Sequence, residues 1–234
     1  MDPELESFVR QVWQGRHEVE LAASTRFAAL AERLDGVGAP RAVVSLAERA
    51  SGDELRHAAH CQTLVSGYGG PRLPSGAPLV EYAPAHLGAG WRLLYEVVAQ
   101  CCIAETESMS TLLVLNDAAE TPELKRILHE LARDEVNHSR IGWGYLAWAR
   151  HRYDLGDLGR FLPGMLEGNA STGVFTPVRA VEDGPTLLRH GVVPASMRRT
   201  LYVETLQSVV FPGLEEQGVN VTAARGWLEG KLAD

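Results

Sequence analysis

Four stretches of the chain carry apolar residues at alternating steps of three and four, the period of a helix with one buried face. The first runs from about Glu4 to Leu34 and stops at the breaker DGVGAP. The second starts at Arg41, directly after Pro40, and ends near Tyr68. A third runs from about Gly88 to Ala118. The fourth opens with Thr121 as N-cap, Pro122 at the first helical position and Glu123 behind it, and continues to about Arg152. Only a few residues separate the first helix from the second and the third from the fourth, so each pair reads as an antiparallel hairpin. Between the second and third lies a Gly/Pro-rich segment, Gly69 to Leu87. Extended, it spans up to about 60 Å, against about 45 Å for a thirty-residue helix, enough to cross the whole bundle.

The expected fold is therefore all-α. Residues 1–152 form a four-helix bundle with a long crossover between helices two and three, and residues 153–234 form a C-terminal helical extension packed on the same domain. In that extension DLGDLGRFLPGMLEG suggests a short helix and GNASTGVFTPVRAVEDGP a loop. Residues from about Pro194 to Gln217 suggest a further helix, bent or ended near Pro212.

Each buried stripe is apolar or small except near its middle. Trp13, Glu20, Ser24, Phe27 and Leu34 mark the first helix; Ala50, Glu54, His57, Cys61 and Leu64 the second. Val98, Cys101, Glu105, Ser108 and Leu112 mark the third; Leu131, Glu135, His138, Gly142 and Tyr145 the fourth. An unpaired carboxylate costs several kcal/mol or more to bury, so something must compensate for four of them. Glu20 lies fourteen residues before Leu34 and Glu54 thirteen after Arg41. At 1.5 Å per residue both sit about 20 Å from their shared hairpin end. Glu105 and Glu135 lie thirteen and fourteen residues from Ala118 and Thr121, so all four meet at one depth. One Glu from each of two helices plus Glu-x-x-His from each of the other two is the donor pattern of a carboxylate-bridged di-metal site. Two divalent cations would neutralise Glu20, Glu54, Glu105 and Glu135, with His57 and His138 completing the coordination.

The same frame sorts the neighbours. Glu18 and Glu107 stand about 200° round the helix from a ligand position and are expected at the solvent or rim. His17 reads as an entrance or surface histidine and His60 as no more than an outer group. DELRHA and DEVNHS repeat the pattern Asp-Glu-x-x-His-small. A metal-bound imidazole needs its second nitrogen held, and Asp53 and Asp134 are placed to serve the histidine across the bundle. Ser24, Cys101, Ser108 and Gly142 are small enough to leave room beside the centre. Tyr145, two turns beyond His138 on the same stripe, is a candidate electron relay or simply a core aromatic.

Composition narrows the partners. The chain has 234 residues, 45% hydrophobic and 22% charged, with a net charge of −8. That balance offers no broad basic surface for nucleic acid or an anionic membrane. No membrane-spanning run and no signal peptide are read from the sequence, and three cysteines, two of them adjacent, suggest reduced thiols and a cytoplasmic setting.

DELRH resembles the Asp/Glu-Glu-x-Arg-His signature of the ferritin-like non-haem di-iron carboxylate proteins. That superfamily includes bacterial multicomponent monooxygenases, acyl-carrier desaturases, ribonucleotide reductase small subunits, arylamine N-oxygenases and rubrerythrins. The resemblance covers about residues 4–152. It implies two iron ions, with manganese or a mixed pair also compatible, on the six ligands named above, Glu54 and Glu135 bridging. DEVNH departs from the signature, with Asn137 where it has Arg. Rubrerythrins carry a further glutamate one turn after the third-helix ligand; here Ser108 stands there. A hydroxyl adds no anionic ligand and can donate a hydrogen bond, which favours dioxygen activation over peroxide reduction. The chain has no Cys-x-x-Cys pairs for a rubredoxin-type iron, so electrons would come from an external ferredoxin or reductase.

The expected function is that of a monomeric or homodimeric oxidoreductase, a di-iron oxidase or monooxygenase acting with O2 on a small organic substrate by hydroxylation, desaturation or N-oxygenation. A ferroxidase or rubrerythrin-like peroxidase is the alternative, and a metal-free helical binding module the third.

Overall fold

The computed structural model describes residues 2–71, 82–170, 174–175 and 184–233. Those residues are helical or irregular, with no strand among them. Helix α1 (Pro3–Gly36) is capped by Asp2, whose side chain accepts from the Glu4 amide, and has Pro3 in its first turn. It ends on Gly38, whose φ of 69° lets the chain reverse, and Ala39 donates back to the Leu34 carbonyl at 3.0 Å. Helix α2 (Arg41–Gly67) then returns alongside α1, packed against it along the hairpin. Residues 72–81, the greater part of the expected crossover, lie outside the described residues.

The third long helix, Ala89–Ala118, runs unbroken but is not α-helical throughout. Its parts are α3 (Ala89–Val97), a π-helical segment (Val98–Ala104) and α4 (Glu105–Ala118). A uniform three-and-four stripe does not survive that wider turn. Trp91 is only half-buried, whereas Leu93, Leu94, Tyr95, Val97 and then every residue from Val98 to Ile103 are buried. By length and composition this helix is apolar enough to cross a bilayer, which the sequence reading missed. Here 56% of its most apolar window is buried inside the protein: the π-helical segment packs against α5 and against C-terminal elements, while Leu113 further along stays exposed.

Helix α5 (Pro122–Ala149) has Thr121 as its cap, accepting from the Leu124 amide, and lies against both α4 and α2. It stops at Ala149, short of Arg152. A 3-10 segment (Leu155–Phe161) and α6 (Leu162–Asn169) follow; most of the expected loop after them lies outside the described residues. Next come α7 (Gly184–Arg189) and α8 (Ala195–Thr205). A π-helical segment (Leu206–Val210) joins α8 to α9 (Phe211–Glu216), so the irregularity expected at Pro212 lies just before it, and the helix continues through Pro212. Helix α10 (Thr222–Ala233), which the sequence reading did not anticipate, packs on α6.

The apolar core falls into two slabs. One holds Ala23 to Leu34, Val43 to Ala50, Leu93 to Ile103, Ile141 to Ala149 and the C-terminal Phe211 and Leu228. The other holds Val9, Trp13, Cys61, Val65, Leu112, Leu115 and Leu124 to Ala132. On all four long helices the break between slabs falls at the same place: Glu20 on α1, Glu54 and His57 on α2, Glu105 on α4, Glu135 and His138 on α5. A continuous polar layer crosses the core.

Candidate metal centre

All six of those side chains are buried, His57 and His138 completely. Donor atoms of Glu54, Glu105, Glu135 and His138 lie within 4.8 Å of one another, and so do those of Glu20, Glu54 and His57. Glu54 belongs to both groups. The Glu-x-x-His spacing explains the local geometry, since residues three apart on a helix share a face. His57 Nδ1 stands 3.2 Å from Glu54 Oε2, and His138 Nδ1 stands 2.9 Å from Glu135 Oε2. His138 Nδ1 also lies 3.2 Å from Glu54 Oε1 and 3.8 Å from Glu105 Oε2, which ties the two groups together.

Behind each imidazole stands an aspartate from the opposite hairpin. His57 Nε2 lies 3.4 Å from Asp134 Oδ2, and His138 Nε2 lies 3.4 Å from Asp53 Oδ2. An Nε2–H donated outward leaves the Nδ1 lone pair facing the carboxylates, which is the tautomer a cation needs. Arg56 binds both aspartates: its Nη2 lies 2.8 Å from Asp53 Oδ1 and 3.1 Å from Asp134 Oδ2. Because α2 and α5 pack closely, one guanidinium reaches both halves. Asn137, its counterpart in the repeat, instead accepts from Arg140 on the surface, and Arg133 holds the free oxygen of Asp134 at 2.9 Å.

The electrostatics show what the layer lacks. Burial pushes the Glu135 carboxyl up to about 7, with Glu105 adding repulsion and His138 opposing it. Burial and the charge of Glu54 drive Glu20 well above the carboxylate range, against the pull of Arg16. Burial also raises Glu54, with His138 opposing. For His138 burial works downward, but Asp53, Glu105, Glu135 and Glu54 together force it up. Carboxylates and imidazole thus compete for protons to hold the layer together. Divalent cations supply the same positive charge without protons. Glutamate oxygens and inward-facing imidazole nitrogens suit iron, manganese or zinc, so the donor set fits a metal pair.

Other residues lie differently from expectation. Glu18 is exposed, but Glu107 is half-buried, and burial raises its carboxyl with Thr111 opposing. The helices α8 and α4 pack together on that side, which removes the solvent the rim position was expected to have. His17 is buried, not a surface histidine: its Nδ1 sits 2.7 Å from the Ala58 carbonyl, because α1 and α2 pack tightly there. His60 pairs with Glu130 at 3.3 Å. The room expected beside Gly142 and Cys101 is filled; a Cβ at Gly142 would come within 2.5 Å of Cys102 Sγ and 3.0 Å of Cys101 Cβ. Gly142 therefore serves close helix packing against the π-helical segment. Ser24 donates to the Ser51 carbonyl at 2.8 Å. Ser108 does reach the layer, donating to Glu135 Oε1 at 3.0 Å. Tyr145 is buried in the larger slab, its ring 5.5 Å from Trp148 and its hydroxyl without a partner among the described residues.

One participant went unnoticed in the sequence. Arg16 Nε donates to Glu20 Oε1 at 3.3 Å, and its Nη2 lies 3.4 Å from Ser108 Oγ. Its position one turn before Glu20 was the available signal. No family model matches the chain, and no curated protein matches it significantly.

Proposed function

We propose that the protein is a ferritin-like di-iron carboxylate enzyme, an oxidase or oxygenase that uses O2 to oxidise a small organic substrate. The observation that carries this reading is the pair of overlapping donor groups sharing Glu54, each with an imidazole held from behind by an aspartate. The two-hairpin order of the long helices, with the polar layer at one depth, supports the ferritin-like arrangement. A bound iron pair supplies redox chemistry that none of these side chains can perform.

The chain's own residues do the rest. Asp53 and Asp134 fix both imidazoles, and Arg56 fixes both aspartates. The two apolar slabs exclude water from above and below, which strengthens every electrostatic contact inside the layer. Ser108 orients Glu135 through its hydroxyl. Electrons would come from an external ferredoxin or reductase.

The test is anaerobic ferrous loading of the whole chain, elemental analysis, and exposure to air with oxygen uptake recorded. Two iron ions per chain and rapid oxygen consumption that depends on added reductant and organic substrate are expected. Failure to retain iron removes the reading. Uptake that depends on ferrous ion alone would convert it to ferroxidase.

A further inference from the structure

Exposure across the layer is graded. The side chains of His57 and Glu54 are 0% and 1% exposed and those of His138 and Glu135 1% and 2%, but Glu20 reaches 7% and Glu105 9%. The packing agrees: α1 lies close against α2, and no comparable backbone approach joins it to α4. Among the described residues, the little exposure the layer has therefore lies at Glu20 on α1 and Glu105 on α4, on either side of the seam between those helices.

Arg16 stands in that seam with its side chain 19% exposed. Its two hydrogen bonds, at 3.3 and 3.4 Å, are long beside the roughly 2.7–2.9 Å of a well-made charge-assisted bond. No described residue takes its Nη1. Ser108 spends its own hydrogen on Glu135 and so meets Arg16 as an acceptor. The Trp13 ring lies 5.8 Å from the guanidinium and is itself fixed by donation to the His190 carbonyl at 3.1 Å. Glu107, an acid outside the donor set, accepts from Thr111 at 3.2 Å and feels the charge of Arg16 without forming an ion pair with it.

A guanidinium is a poor neighbour for a metal pair. Two divalent cations would balance the four glutamates of the layer, and Arg16 then has only its long contact to Glu20 and the more distant charge of Glu107 to offset it. It makes chemical sense where a negative group arrives from outside, and the planar fork of Arg suits a carboxylate.

We propose that Arg16, backed by Trp13 and joined to Ser108 across the seam, anchors a small carboxylate-bearing organic substrate on the free edge of its guanidinium. This rests on reading the layer as a metal centre and names the substrate class for it. A fixed counter-ion for Glu20 is the competing role, and it would leave external carboxylates indifferent to Arg16.

The whole chain, loaded anaerobically with ferrous iron and checked by elemental analysis, is titrated calorimetrically with benzoate and with benzamide. Benzoate is expected to bind about tenfold or more tighter than benzamide, the size of one hydrogen-bonded charge contact. Arg16→Gln should lose most of that preference at unchanged iron content, and Arg16→Lys should restore part of it. Equal affinities, or full benzoate binding in Arg16→Gln with iron retained, overturn the anchor and leave the metal centre standing. A chain that takes up no iron overturns both. Should Arg16→Gln itself lose iron, Arg16→Lys with iron retained decides: a lowered preference for benzoate supports the anchor and an unchanged preference sinks it.

Discussion

On the α2/α5 side of the polar layer, His57 and His138 are sealed from solvent, and each is gripped by an aspartate that Arg56 grips in turn. On the α1/α4 side, Glu20 and Glu105 stand singly, slightly exposed, with Arg16 and Ser108 as neighbours joined by long contacts. Both sides carry carboxylates at the same depth, yet only one is locked. Under the proposed reading, the difference separates holding a cation from admitting a ligand. A locked donor keeps its geometry whatever arrives, and a loosely held carboxylate can shift when something does.

The largest effect is expected from breaking the locked side. Glu54 contributes to both donor groups and Glu20 to one. Glu54→Ala should abolish uptake of both ions, whereas Glu20→Ala should spare the group formed by Glu54, Glu105, Glu135 and His138. Elemental analysis after dialysis reads the difference directly. Equal metal content in the two variants would erase the distinction between the sides.

Proton occupancy gives the next largest effect. Glu135 titrates near 7 in the folded metal-free chain against an ordinary 4.5, so the folded state holds more protons between those values. The stability this group contributes is then full below about pH 4.5 and is lost as pH rises through 7. His138, also raised, adds a loss in the same direction above its ordinary 6.5. Thermal melts of metal-free protein should therefore show a midpoint that drops from pH 5 to pH 8. Metal-loaded protein should show no such drop, because cations replace the protons. A flat profile without metal would mean that the layer is not short of positive charge.

Much of this was legible in the chain. Caps and breakers placed α1, α2 and α5 to within a few residues, because the DGVGAP breaker, Pro40, Thr121 and Pro122 act locally. The polar layer could be found because counting residues from a hairpin end measures depth on a regular helix. The π-helical segment was not legible: Val98 to Ala104 is apolar or uncharged on every face, so no polar side marked the change of period. Gly142 looked like spare volume because its partner, Cys102, approaches only through that altered turn. Arg16 carried no mark in the sequence, where an arginine on a helix is usually exposed, and its contact with Ser108 on α4 is what brings it to the layer.

That misreading can be used. Gly142→Ala should cost about 1–3 kcal/mol, since its Cβ would meet Cys102 Sγ and the Cys102 backbone rather than open space. Gly144→Ala, two residues on, meets only the tip of Val43 at 3.2 Å and should be much milder. Denaturant melts rank the two. If Gly142→Ala is also mild, the π-helical segment yields easily and does not hold Glu105 in place.

The smallest effects test the locked side at its outer edge. Arg56 and Asn137 occupy equivalent places in DELRH and DEVNH, so a symmetric centre would make them equally important. The geometry says otherwise. Arg56 touches Asp53 and Asp134 and therefore acts on both histidines, while Asn137 touches Arg140 at the surface. Arg56 is 48% exposed, so its ion pairs contribute little to stability as such, and its effect should appear in metal retention. Arg56→Ala should weaken metal binding about 10- to 100-fold, the usual penalty for losing a group that orients a metal ligand. Asn137→Ala should change it by less than about twofold, as surface substitutions do. A chelator competition titration on both variants measures this. If Asn137→Ala proved as damaging as Arg56→Ala, each hairpin would have to hold its own histidine, and the single clamp across α2 and α5 would be wrong.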